Sequence, residues 1–169
     1  LRSRLVALID REIAHANAGR PARMIFKVNA IADTKMIRKL YQASRSGVKQ
    51  DLIVRGVCCL KTGVVGVSEN IRVRSIIGRF LEHSRIYYFE NGGKPEVYCG
   101  SADLMERNLD RRVEILFPVL DAKHREHLKS VVLDQQLSDN TLAFMLQKDG
   151  NYIKTMPEKD PEAVDSQNN

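Results

Sequence analysis

The sequence predicts an α/β fold, on the order in which its apolar segments follow one another. Met24–Val28 and Asp51–Val54 are short apolar runs of strand length, and between them Met36, Ile37, Leu40 and Tyr41 recur at helical spacing. A strand, helix, strand unit over residues 23 to 54 needs a crossover, which joins parallel strands. Further strand-like runs and one more helical stretch follow, so the expectation is a mixed β-sheet flanked by helices.

Taken in order, Leu1, Leu5, Leu8, Ile9 and Ile13 mark a helix at the start, with no Ser, Thr, Asp or Asn before it as a cap. The uncapped start and the missing initiator Met read as a chain cut from a longer protein. Gly19 and Pro21 end that helix. Asp33 can cap the second helix, and Gly47 stands where a positive φ would close it. A glycine-punctuated loop, 56 to 70, leads to strand-like runs at 71–77, 85–90 and 96–100. Asn91-Gly92-Gly93 joins the last two as a hairpin. A loop or short helix at 102–110 precedes a further strand at 111–117. Asp121 can cap a helix carrying Leu128, Val131, Val132 and Leu137, and a hairpin turns at Asp149-Gly150.

With 169 residues the chain can bury a core without staples. Its three cysteines, Cys58, Cys59 and Cys99, form no even framework and no C-x-x-C pair, which argues against a disulfide scaffold and a four-cysteine zinc site. No run approaches the ~18 apolar residues of a membrane span, and a cytoplasmic location, free or peripheral to the membrane, is expected. The domain is expected to cover residues 1–156. Residues 157–169, with four acids, two prolines and little apolar content, are expected to form a disordered acidic tail. Without the tail there are 26 basic against 17 acidic residues, a surplus that favours an anionic partner.

Arginine carries the most information. Between residues 55 and 112 stand Arg55, Arg72, Arg74, Arg79, Arg85, Arg107, Arg111 and Arg112 against only Lys61 and Lys94. The planar guanidinium matches phosphate oxygens with paired donors, so this bias points to phosphate recognition. For Arg72, Arg74 and Arg111 the plainer expectation is an ion pair on a wet surface. Arg55 differs, because it ends a buried parallel strand ahead of Gly56, and ligands bind at that edge of open α/β sheets. His124 and His127 share a helix face without a third ligand at coordinating spacing, so no metal site is expected in the chain. A Gly-x-x-x-x-Gly-Lys-Ser/Thr loop is absent, which excludes a P-loop route to nucleotide.

His83 stands just ahead of a strand with cations on both sides. Hydrogen bonding in a purely structural role is one reading of it. With Arg85 two residues on, Glu90 seven on and Gly100-Ser101 beyond the hairpin, it also resembles the His-x-Lys, Asp, Gly-Ser series of the phospholipase D-like superfamily, with Arg for Lys and Glu for Asp. The strings DLIVRGVCCL at 51–60, SENIRVRS at 68–75, GRFLEHSR at 78–85, GSAD at 100–103 and RNLDRRVE at 107–114 together resemble the C-terminal catalytic domain of bacterial polyphosphate kinase, from Leu1 to about Met156.

That resemblance implies a phospholipase D-like fold. It also implies reversible transfer of the terminal phosphoryl group of ATP to inorganic polyphosphate, with magnesium, through a phosphohistidine. The phosphorylated histidine and the magnesium-associated residues belong to the preceding domain of the family, upstream of Leu1, so the fragment alone is expected to be inactive. His83 matches a histidine proposed as general acid or base and as a phosphate contact. Arg55 and Arg112 match arginines that bind nucleotide phosphates. Asn70, Arg85, Ser101 and Arg107 are candidates for site support. Leu104 departs from the family, which has a tryptophan there. The resemblance further implies upstream domains of the same polypeptide and a homo-oligomeric full-length protein as partners. Two other classes fit the residues: a phospholipase D-like phosphodiesterase that completes its site by pairing two copies, and a basic nucleic-acid-binding module. The second is disfavoured by five Tyr, five Phe and no Trp, with no stacking platform among them.

Overall fold

A computed structural model of the protein describes residues 1–155 and 163–168. Strands β1 (Arg23–Val28), β2 (Lys49–Val54) and β3 (Ile71–Ile76) run parallel at the centre of one sheet. Next to β1, β4 (Arg85–Phe89), β5 (Glu96–Gly100) and β6 (Leu116–Pro118) continue antiparallel, and next to β3 come β7 (Ala143–Leu146) and β8 (Tyr152–Lys154). The order across the sheet is β6-β5-β4-β1-β2-β3-β7-β8. The predicted crossover is therefore present, inside a mixed sheet.

Alternation along the central strands fills two cores. Met24, Phe26, Val28, Leu52, Val54 and Val73 face the helices α1 (Arg2–Asn17) and α2 (Thr34–Arg45), which contribute Leu5, Leu8, Ile9, Met36 and Leu40. Ile25, Ile53, Ile76, Ile86 and Tyr88 face the other way, under Leu128, Val132, Leu133 and Leu137. Those residues lie on the π-wound stretch Leu128–Asp134, which continues α3 (Ala122–His127), and on the last turn, α4 (Gln135–Ser138). Both predicted caps form: Asp33 accepts from the Met36 N–H at 2.8 Å and Asp121 from the His124 N–H at 2.9 Å. The first helix has no side-chain cap. Arg2 fastens its start instead, donating to both oxygens of Asp33 and both of Asp110.

Two expectations need correction. The strand expected at 111–117 is paired only over Leu116–Pro118, because β5 ends at Gly100, opposite Leu116, and leaves no partner for what precedes it. Of the tail expected to be disordered, residues 163–168 are hydrogen-bonded to the body. Val164 exchanges bonds with Asn140, Ser166 donates to Asp139, and Gln167 reaches the 80–82 loop. Asn140, Asp139, the Phe80 carbonyl and Glu82 are the acceptors on the body, contacts that composition alone does not reveal. Residues 157–162 and 169 of that segment lie outside the described residues.

Candidate active site

Register decides which loops meet. β1, β2 and β3 end at Val28, Val54 and Ile76, and antiparallel pairing brings the starts of β4, β6 and β7 and the end of β5 to the same rim. Arg55 leaves β2 there, His83 precedes β4, Ser101 follows β5, and Arg112 precedes β6. One edge of the sheet therefore carries Arg55, His83 and Arg112. No hydrogen bond or ion pair joins the three side chains among the described residues.

Arg55 is half-buried, and its Nη1 is shut off from solvent without a partner. Gly56 allows this approach: its N–H donates to the Asn29 carbonyl at 2.8 Å, and a Cβ there would stand 2.9 Å from that oxygen. His83 and Arg112 are exposed.

Arg85 holds the histidine segment in place. Its Nε and Nη2 fork onto Asp103 at 3.1 and 3.0 Å, and Nη1 donates to the His83 carbonyl at 2.9 Å. Asp103 also accepts from the Asn29 N–H at 2.7 Å. Burial alone would raise the Asp103 carboxyl, but the bonds from Arg85 and Asn29 outweigh it and hold it below the ordinary aspartate range. Asp103 thus ties the end of β1 to the start of β4. Ser101 secures the Arg112 segment: it donates to Glu114, accepts from the Ile115 N–H at 3.2 Å, and donates its own N–H to the Ile115 carbonyl. Asn108 holds the other Glu114 oxygen at 2.6 Å. These two bonds, with the charges of Arg112 and Arg85, lower the Glu114 carboxyl.

The other candidates lie elsewhere. Asn70 precedes β3, at the opposite end of the sheet, where it donates to the Ser44 carbonyl and accepts from Lys49, so its support is given to the end of α2 and not to the site. Arg107 is exposed over an open cavity with Ala32, Met105, Glu106 and Arg111, which shares no lining residue with the Arg55 cavity. Arg72 pairs with Asp51 and Arg111 with Glu106, while Arg74 donates to the Gln136 and Asp139 carbonyls. Leu104 is fully buried in the core beside α2, so that position packs the interior and offers no exposed face for stacking.

Sequence reasoning missed Lys27 and Asn29, which line the Arg55 cavity. The signal was present, since a lysine inside a buried strand run has to find an anion. Among the described residues no group of three or more His, Cys, Asp or Glu side chains is placed to hold a metal ion. The nearby acids are engaged, Glu82 with Lys27, Asp103 with Arg85, and Glu114 with Ser101 and Asn108. The described residues at this rim do not fit a magnesium ion.

Comparison with known proteins adds an independent line. Residues 1–167 match the family described as polyphosphate kinase C-terminal domain 2. Polyphosphate kinase 1 of Chlorobaculum tepidum is 55% identical over 166 residues, which is 98% of this chain and 23% of that protein. The crystal structure of polyphosphate kinase from Porphyromonas gingivalis superposes with a TM-score of 0.93 at 41% identity, covering 99% of this chain and 25% of that one. NucT from Helicobacter pylori, 14% identical with a TM-score of 0.54 over 76% of this chain and 84% of its own, shares the fold. The chain spans about a quarter of the length of the curated relatives it matches.

Proposed function

The chain belongs to the polyphosphate kinase C-terminal domain 2 family, and on that premise we propose that it supplies one half of a phosphotransferase site. The reaction is reversible transfer of the terminal phosphoryl group of ATP to inorganic polyphosphate. The nucleophilic histidine that carries the phosphoryl group, and the ligands of magnesium, come from a domain upstream in the full-length protein.

Phosphoryl transfer asks a protein chiefly to align the groups and to stabilise charge on the transferring oxygens. The observation that carries this reading is the shared rim of Arg55, His83 and Arg112. Arg55, fixed at the end of β2 with an unmet guanidinium N–H, is suited to hold a phosphate oxygen as charge develops. Arg112 brings a second guanidinium from the loop before β6. His83, exposed and held through its carbonyl by Arg85, is free to give or take a proton. Location in the cytoplasm accords with this substrate, and no helix among the described residues is long and apolar enough to cross a membrane.

The test is polymer formation from ATP by the full-length protein. His83→Ala is expected to abolish synthesis or nearly so, and turnover close to that of the unaltered enzyme would remove His83 from the mechanism.

A further inference from the structure

Two donors at the rim have no acceptor. Asn29 Nδ2 and Arg55 Nη1 are both closed to solvent and without a hydrogen-bond partner, and both line one cavity at the ends of β1 and β2. A buried donor left unmet is costly, so native structures seldom keep two side by side unless a ligand or water answers them. The one unmet acceptor in the lining is Gln136 Oε1.

A third group enters the same cavity. Lys27 lies two residues before Asn29 on the same strand face and is 6% exposed. Its ammonium meets the Glu82 carboxylate at 2.8 Å. Gln136 Nε2 donates to the same carboxylate at 2.7 Å and Gln167 Nε2 at 3.1 Å. Gln167 also clasps the backbone of Phe80 from both sides. With Glu82 in place the open space is about 20 Å³, room for one water molecule and too little for a phosphate group.

We propose that Lys27, Asn29 and Arg55 form a phosphoryl-binding pocket and that Glu82 is its built-in anionic occupant, displaced when a phosphate group of ATP or of polyphosphate enters. The inference rests on the phosphotransferase reading for the class of ligand, while the pocket itself follows from the unmet donors. With Glu82 on the ammonium the pocket has no room for a phosphate group, and two anions this close repel each other, so the incoming group turns Glu82 out. Glu82 and His83 are consecutive on the loop before β4, and that displacement moves the imidazole as well. Occupation of the pocket and placement of His83 then form one motion. Gln167, bonded to Glu82 and Phe80, holds the loop in its closed position. An internal occupant lowers apparent affinity by the fraction of time it fills the site, and removing its charge raises that affinity.

Titration calorimetry on the 169-residue chain tests this with tripolyphosphate, long-chain polyphosphate and ATP as separate probes. Glu82→Gln keeps the shape and loses the charge, and it is expected to tighten binding of at least one probe by roughly tenfold. Asn29→Ala, which leaves the Lys27–Glu82 pair alone, and Lys27→Met are expected to weaken that binding. Tightening with ATP alone assigns the pocket to the nucleotide, and tightening with the two polyphosphates alone assigns it to the polymer. Unchanged or weaker binding in Glu82→Gln for every probe overturns the proposal, as does undiminished binding in Asn29→Ala. The readout is independent of transfer: persistent synthesis by the full-length His83→Ala enzyme would sink the phosphotransferase role of His83 and leave these binding shifts standing.

Discussion

Arg85 shows how a residue gains its role from partners far away in sequence. Reading along the chain, it falls two positions after His83 and resembles a motif lysine. In the structure its fork is spent on Asp103, and the remaining donor fixes the His83 carbonyl. On the proposed function this makes it a positioning residue for the imidazole, and lysine cannot reproduce three donors in a plane. Arg85→Lys in the full-length enzyme is expected to lower kcat for polymer synthesis by at least about tenfold, with a smaller change in KM for ATP, since small displacements of a reacting group are costly. A variant with kcat preserved and only stability reduced would show the contact to be structural. Asn70 and Arg107 are candidates for site support by neighbourhood in sequence, yet one lies at the far end of the sheet and the other over a different cavity. Arg55 could be told apart by its place at the end of a buried strand run ahead of Gly56, whereas Asn70 and Arg107 are placed only by strand pairing, which assembles the rim.

At the scale of elements, β6 is the informative departure. The sequence predicts a strand over 111–117, but Val113 is fully exposed and Ile115 is 59% exposed. Pairing starts only at Leu116, where Gly100 lets the chains approach. A Cβ on Gly100 would lie 2.5 Å from the Ile115 carbonyl oxygen, a backbone atom that cannot swing aside. Gly100→Ala is therefore expected to push the 112–115 segment outward, costing about 1 to 3 kcal/mol of stability and weakening phosphate contacts made through Arg112. Chemical denaturation measures the first effect, and a variant as stable as the parent would show that the two strands slide apart freely. Where local chemistry suffices, elements were legible: the Asp33 and Asp121 caps and the positive-φ turn at Asn91, Gly92 and Gly93 stand where their residue types require.

For the whole molecule, the acids that bind distant elements together predict a pH response. Asp33, Glu82, Glu96 and Asp103 all have carboxyls held below their ordinary values by the cations and amides they meet. A depressed carboxyl stabilises the fold above its ordinary value, 3.8 for aspartate or 4.5 for glutamate, and that stabilisation is lost as pH falls through the lower folded value. Glu12 acts in the opposite sense. Burial raises its carboxyl despite bonds from the Asn91 and Arg23 N–H groups, so its contribution grows as pH falls through the raised value. With these four groups, and Asp110, Glu114, Asp121 and Asp149 shifted the same way, against Glu12 alone, the thermal midpoint is expected to drop steeply below about pH 4, and a midpoint that held steady down to pH 3 would contradict it.

Sequence by itself determined the α/β class, the parallel unit over residues 23 to 54, the caps and turns, the arginine bias and the histidine ahead of β4, because each is written in residue types a few positions apart. Only the tertiary structure decided that β6 is short, that residues 163–168 dock on the body, that Asp103 serves Arg85, and that Lys27, Asn29 and Arg55 open into one cavity. Those facts depend on which strands lie side by side and in what register, and register is set by the packing of both faces of the sheet at once.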